Sequence, residues 1–275
     1  MLIAAATRFA VFAEGPHAGN PATVVRLGDW PSTGERMQAL AEHAGTIAFL
    51  PAAADDPCPI RWFGPAGEIA LCGHGALAAG AMLINAPSAT CRLLTARGET
   101  LALSRTGDRL TIDLPARMPA PTPLPAVAAA LGLDPVDTLA HPDRYAVVVA
   151  ADAAAVRACR PDRAALAALG DWQVILTAPG TGSDIVSRVW SPGGSEDAAT
   201  GSAHAVIGPY WARRLGRAHL SAVQASPAGG SIACTASGDR VAVGGRCVVV
   251  ATGQAAIAAA SVALIQPPPS TRSPS

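Results

Sequence analysis

One stretch of this chain lacks the polar face that a surface helix needs, and a second resembles it. Residues 74–84, from His74 through Ala76-Leu77-Ala78-Ala79 to Ile84, hold almost nothing polar after the histidine. Residues 202–215 form a second Ala-rich stretch that closes on Leu215-Gly216, a glycine C-cap pattern. A helix apolar all round is buried, with other structure wrapped around it. Here the wrapping reads as sheet. β-type runs occur at 3–12, 22–28, 45–50, 60–63, 90–95, 99–104 and 109–114, then at 145–150, 172–177, 184–190, 221–224, 231–234, 241–243, 247–251 and 256–265. The glycines among the last five are expected to be turns. Shorter helices are predicted at 35–44, 125–131, 153–158 and 161–169.

Between Leu114 and Pro125 stand five prolines, which mark a linker. The expected organisation is a first domain over 1–116 and a second over 117–266, with the last strand returning to the first. The Pro- and Ser-rich tail 267–275 is expected to be disordered.

The two apolar helices are preceded by related sequence. Arg61-Trp62-Phe63-Gly64-Pro65-Ala66-Gly67 resembles Arg188-Val189-Trp190-Ser191-Pro192-Gly193-Gly194, about 127 residues later. Each copy passes an acidic residue, Glu68 or Glu196-Asp197, and then a turn of small residues. The second copy needs one extra residue to stay in register. A repeat of roughly half the chain predicts two similar halves, each giving one helix N-terminus to a shared site.

Composition narrows the partners. The formal net charge is zero and Lys and Arg are not clustered, so nucleic acid and anionic membrane surfaces are poor candidates. The six cysteines, Cys58, Cys72, Cys91, Cys159, Cys234 and Cys247, form no CxxC pair and no zinc spacing. A reduced cytoplasmic protein without a metal is the simplest reading. The N-terminus lacks the basic and long apolar regions of a signal peptide. Residues 247–266 carry no charge, but Gly253-Gln254 divides them and Ala dominates, which favours strand, turn and strand over a membrane helix.

Chemistry gathers at the two helix starts. Gly73 and Gly75 flank His74 beside Cys72, so a ligand can approach the backbone closely. Free N–H groups there attract a carboxylate and activate a thiol, and an imidazole can hold or move a proton near neutral pH. A buried structural cysteine beside a satisfied histidine is the competing reading. In the second turn, Thr200, Gly201 and Ser202 offer backbone and hydroxyl donors. Asp197 is either an N-terminal cap or a catalytic carboxylate. His204 reads as structural. Asn20, before Pro21, is either a turn residue or part of the site.

Taken together, Phe12, Gly19-Asn20-Pro21-Ala22, Phe63-x-Pro65, Glu68, Leu71-Cys72-Gly73-His74 and Glu196-Asp197-x-x-Thr200-Gly201-Ser202-Ala203-His204 with Tyr210-Trp211 resemble the PhzF-like isomerases of phenazine biosynthesis. The resemblance runs from about residue 8 to about residue 255. It implies an α+β diaminopimelate epimerase fold: two pseudo-symmetric halves, each a rolled β-sheet around a central helix, with the site between them. It further implies a homodimer that needs no metal or organic cofactor and shifts protons on a small carboxylate substrate in secondary metabolism.

The departures from that family are specific. Its Ser-Glu-Thr-Ala-Phe is here Gly45-Thr46-Ile47-Ala48-Phe49, so Thr46 stands where the family has its proton-shuttling glutamate. A threonine hydroxyl has no useful basicity near pH 7. The family's Gly-His-Ala-Thr is here Gly73-His74-Gly75-Ala76. Cys72-Gly73-His74-Gly75 is instead similar to the first thiol motif of the proline racemases, whose second cysteine would fall near Ala198. The arginine common near residue 229 is Ala228.

The expectation is an isomerase moving a proton and a double bond on a cyclic or amino-acid-derived carboxylic acid. Cys72, His74 and Asp197 are the candidate proton carriers. Asn20, Thr46, Gly73, Gly75, Thr200, Gly201 and Ser202 are the candidate substrate contacts. The alternatives are an amino-acid epimerase, a hydroxyproline-type dehydratase, or a PhzF-like protein that binds without catalysis.

Overall fold

In the computed structural model the first half of the chain runs β1 (Leu2–Val11), β2 (Asn20–Leu27), α1 (Glu35–Ala44), β3 (Ile47–Pro51), β4 (Cys58–Gly64), β5 (Gly67–Ile69), α2 (Gly73–Leu83), β6 (Thr90–Thr95), β7 (Thr100–Thr106) and β8 (Arg109–Pro115). The structure describes residues 2–15, 17–28, 34–53, 55–84, 86, 89–257 and 262–265. The second half runs β9 (Ala120–Pro121), α3 (Pro125–Leu131), β10 (Asp137–His141), β11 (Tyr145–Val149), α4 (Ala153–Ala158), α5 (Arg163–Ala168), β12 (Gln173–Pro179), β13 (Ile185–Trp190), β14 (Glu196–Asp197), α6 (Gly201–Leu215), β15 (His219–Gln224), β16 (Gly230–Ser237), β17 (Arg240–Ile257) and β18 (Val262–Ile265). The tail expected to be disordered, 267–275, lies outside the described residues.

The first-half strands close on themselves. β1 pairs with β2, β2 with β3, β3 with β4, β4 with β6, β6 with β7 and β7 with β8. β17 completes the circuit, pairing through its first residues with β8 and through its later ones with β1. Inside this barrel sits α2, packed against β1, β2, β3, β6, β7, β8 and β17. Its lack of a polar face follows from having no face turned to water. Small residues keep it thin: a Cβ on Gly80 would meet Leu103 Cδ2 at 2.7 Å.

In the second half β10 pairs antiparallel with β11, β11 parallel with β12, β12 antiparallel with β13, β13 parallel with β15, and β15 and β16 antiparallel with their successors. α6 packs on this sheet, and α3, α4 and α5 cover its other face through Val127, Val156 and Leu166. Pro209 interrupts α6 and has no N–H for the carbonyl of Ala205. Arg117 N, in the proline-rich linker, bonds that carbonyl at 2.9 Å. The helix defect thereby anchors the linker.

The repeat is visible as chemistry. Across the hairpin β4–β5, Arg61 grips Glu68 through two bonds of 2.7 Å. Across β13–β14, Arg188 grips Glu196 at 2.7 and 2.8 Å. In each copy the guanidinium also lies 5.0 Å from the ring two residues on, Phe63 or Trp190.

Three of the glycines expected to be turns are strand residues. Gly244, Gly245 and Gly253 all lie within the single strand β17, where two strands and part of a third were predicted. Gly244 and Gly245 answer to crowding, because a side chain on β17 at these points has nowhere to go. A Cβ on Gly245 would stand 2.8 Å from Phe12 Cδ1 and 2.9 Å from Ser231 O. Gly245→Ala is therefore expected to cost about 1–3 kcal/mol, seen as a lower urea midpoint at unchanged slope. An unchanged midpoint would show that the strands yield freely. β17 and β18 pair antiparallel, and among the described residues no helix is long and apolar enough to cross a membrane.

Candidate active site

α2 and α6 meet N-terminus to N-terminus. A Cβ on Gly73 would lie 3.9 Å from Gly201 Cα and 4.0 Å from Ser202 N. Cys72 and Thr200 are the N-cap residues, both extended, and neither side chain caps its helix. The first helical bonds are Ala76 N to Cys72 O and His204 N to Thr200 O. The N–H groups of residues 73–75 and 201–203 precede those bonds and stay unpaired in the helix. Two positive helix ends with no acidic residue in either first turn thus face one another. Such an arrangement favours a negative charge between the two helix ends.

Asp197 is not the cap of α6. Its Oδ1 accepts from Asn20 Nδ2 at 2.7 Å, and its Oδ2 accepts from the Thr200 hydroxyl at 2.6 Å. The second N–H of the Asn20 amide goes to Ala199 O at 2.8 Å. Asn20 opens β2, is 6% exposed, and reaches a turn 177 residues away. It is a clamp between the halves, not a turn residue.

Thr200 does not offer the donors expected of it. Its N–H goes to Gln224 Oε1 at 2.8 Å and its hydroxyl to Asp197. The Gln224 amide also donates to Asp197 O at 2.8 Å and to Thr200 Oγ1 at 3.1 Å, while Ser226 Oγ donates to Ala198 O at 2.6 Å. Sequence reasoning missed Gln224 and Ser226. The available signal was a glutamine ending a β-type run, a polar residue that burial obliges to find partners.

Cys72 and His74 stand together, with Sγ 3.6 Å from Nδ1 and 3.8 Å from Nε2. Burial pulls the His74 imidazole down. The Cys72 sulfur, by charge and hydrogen bond, and then the Asp197 carboxylate outweigh it and lift His74 to about 9. His204 is the opposite case. It is fully buried, bonded through Nδ1 to Thr200 O at 2.8 Å, and held neutral by burial at about 4.

The other predicted contacts divide. Gly75 lies within the first turn of α2, and Ser202 Oγ comes within 3.4 Å of Gln173 Oε1. Thr46 precedes β3 and accepts Thr23 N through its carbonyl at 3.1 Å. Among the described residues its side chain makes no bond to the Asp197 cluster. Phe12 lies beneath α6, fully buried, at φ 61°, with its ring 3.3 Å from where Gly201 would carry a Cβ. A bulky residue in the left-handed region is strained and persists only where its surroundings hold it.

A closed, mostly β barrel around a helix, with a second sheet carrying another buried helix, is the architecture of the epimerase-type folds. The crystal structure of a probable proline racemase from Agrobacterium radiobacter shares it at a TM-score of 0.63 and 13% identity, covering 93% of both chains. The family is narrower: this chain belongs to the phenazine biosynthesis-like (PhzC-PhzF) family, whose model matches residues 9–253. It is 41% identical over 250 residues to an uncharacterized isomerase of Pseudomonas aeruginosa, covering 88% of this chain and 95% of that one. A PhzF-family crystal structure from Enterococcus faecalis superposes at a TM-score of 0.85 with 34% identity, covering 92% of this chain and 99% of that one.

Proposed function

We propose that this chain is an isomerase that moves a proton, and with it a double bond, on a small cyclic or amino-acid-derived carboxylic acid of secondary metabolism. The observation that carries the reading is the meeting of two uncapped helix starts beside Cys72, His74 and Asp197. The substrate carboxylate sits on the N–H groups of Gly73, His74, Gly201 and Ser202. One of the three side chains takes the proton from carbon and returns it elsewhere. The names of the relatives as isomerases support the reaction class. The family resemblance supports a cytoplasmic homodimer needing no cofactor.

The same proposal divides the chain into two halves, 1–116 and 117–266, each a sheet rolled round one helix. Its support is the order of strand pairing: antiparallel, parallel, antiparallel, parallel, antiparallel, antiparallel in β1–β8 and again in β10–β17. The repeated Arg–Glu clamp adds to it.

The test is deuterium wash-in from D2O into a panel of small unsaturated and cyclic carboxylic acids. Wild type is expected to exchange one acid, and Cys72→Ala, His74→Ala and Asp197→Ala are expected to exchange it slower by about 10²–10⁴-fold if each carries the proton. Exchange at the wild-type rate in all three variants would refute the assignment. The Cys72–His74 contact also favours a thiol-based epimerase, and product chirality separates the two.

A further inference from the structure

Trp62 and Trp211 are both buried to 1% exposure. The indole N–H of Trp211 is bonded to Thr177 Oγ1 at 3.0 Å. That of Trp62 has no partner among the described residues. A buried donor left unpaired is destabilising, and its persistence requires a reason.

Gly75 shows what lies next to it. A Cβ there would stand 2.7 Å from Trp62 Cδ1 and 3.0 Å from both Trp62 Nε1 and Cys72 Sγ. The nitrogen-bearing edge of the indole and the sulfur share the space that a side chain on residue 75 would fill. Glycine at this place lets the indole in. His74, from α2 itself, and Asp197, from the turn before α6, are the titratable groups facing this corner. The strands packed on α2 contribute the apolar Val11, Val24, Leu103 and Ile112 to the same buried core.

We propose that Trp62 is a positioning residue for Cys72: its indole N–H donates to the sulfur when Cys72 is a thiolate, and so fits Cys72 to serve as the base that Thr46 cannot be. In the reaction, which rests on the isomerase reading above, the thiolate takes a proton from a substrate carbon as the electron pair moves into the adjoining double-bond system. The thiol then returns that proton at the far carbon. The indole bond strengthens as sulfur regains its charge and keeps its proton throughout, so no co-reactant is needed.

The test is the pH profile of Cys72 alkylation by iodoacetamide in the full chain, with the site mapped by peptide mass spectrometry. Burial pushes the Cys58, Cys91, Cys159, Cys234 and Cys247 thiols up, which holds back their alkylation and makes the mapping of the site necessary. Trp62→Phe keeps an aromatic ring and removes the N–H, and is expected to move the pH profile of Cys72 alkylation upward. Gly75→Ala, which drives the indole from the sulfur, is expected to shift it the same way. A Trp62→Phe profile overlying that of wild type would overturn the proposal. Should Trp62→Phe not fold, an unmoved midpoint in Gly75→Ala would overturn it equally. The readout does not depend on turnover: a shifted midpoint in a protein that exchanges no acid would sink the isomerase reading and leave the Trp62–Cys72 pairing standing.

Discussion

Arg188→Met is expected to destabilise the protein by about 3–5 kcal/mol, while Arg61→Met costs about 1 kcal/mol or less. The two arginines occupy the same place in the repeat and grip their glutamates alike, so the difference comes from burial. Arg188 and Glu196 have side chains 10% and 19% exposed, against 19% and 36% for Arg61 and Glu68. Arg188 also donates to Cys159 O at 2.6 Å, tying the hairpin to the end of α4. Methionine in its place leaves Glu196 charged, half-buried and unpaired, with the carbonyl unpaired beside it. Removing both charges, as Arg188→Met with Glu196→Leu, is expected to recover most of the loss, because a buried pair replaced by apolar groups is close to neutral. Urea denaturation of the three variants measures this. Equal losses at Arg188 and Arg61 would refute the burial argument. The site feels the change as well, since β14 carries Asp197 one residue after Glu196.

The repeat was legible because its parts are local. An arginine, an aromatic residue and a glutamate separated by a Pro-Gly turn must meet across a hairpin, and sequence spacing alone brings them there. The apolar helices were legible for a related reason: eleven residues such as Gly73–Leu83 without a polar face have only the interior to occupy. Gly244 and Gly245 were read wrongly because a glycine that avoids a clash looks the same in sequence as one that makes a turn. Only the positions of Phe12, Thr111 and Ser231, each far along the chain, tell them apart. β10 and β14 went unseen because they are short and polar, and pairing with β11 and β13 makes them strands.

The site divides along the same line. Cys72, Gly73, His74 and Gly201 announce themselves as small or reactive residues at the start of a helix. The Asn20–Asp197 clamp spans 177 residues, and no local pattern distinguishes it from a turn asparagine and a helix cap. Gln224 and Trp62 are identified by burial and by what surrounds them, which only the folded chain supplies.

Asp197→Asn is expected to slow deuterium exchange by about 10²–10⁴-fold and to lower the titration midpoint of His74 from about 9. Both oxygens of Asp197 accept, one from Asn20 and one from Thr200. An amide still accepts from Asn20 through its oxygen and donates to the Thr200 hydroxyl oxygen with that bond reversed, so the substitution removes the charge and keeps the clamp. Burial pulls His74 down, Cys72 outweighs that, and Asp197 adds to the lift; without Asp197 the balance moves back toward 6.5. The sign for stability follows from the raised value. His74 contributes stability that is whole below 6.5 and is lost as pH rises through about 9. In Asp197→Asn the upper edge of that window falls, so stability declines at lower pH than in wild type. Asn20→Ala is the converse: it removes the hydrogen bonds to Asp197 Oδ1 and Ala199 O and leaves the charge, so the His74 midpoint should hold while the turn loosens. Ring-proton NMR follows His74 directly, with His204, held at about 4, as an internal reference that does not move. A His74 midpoint unchanged in Asp197→Asn would show that the carboxylate does not act on the imidazole, and undiminished exchange would show that its charge is not needed for proton transfer.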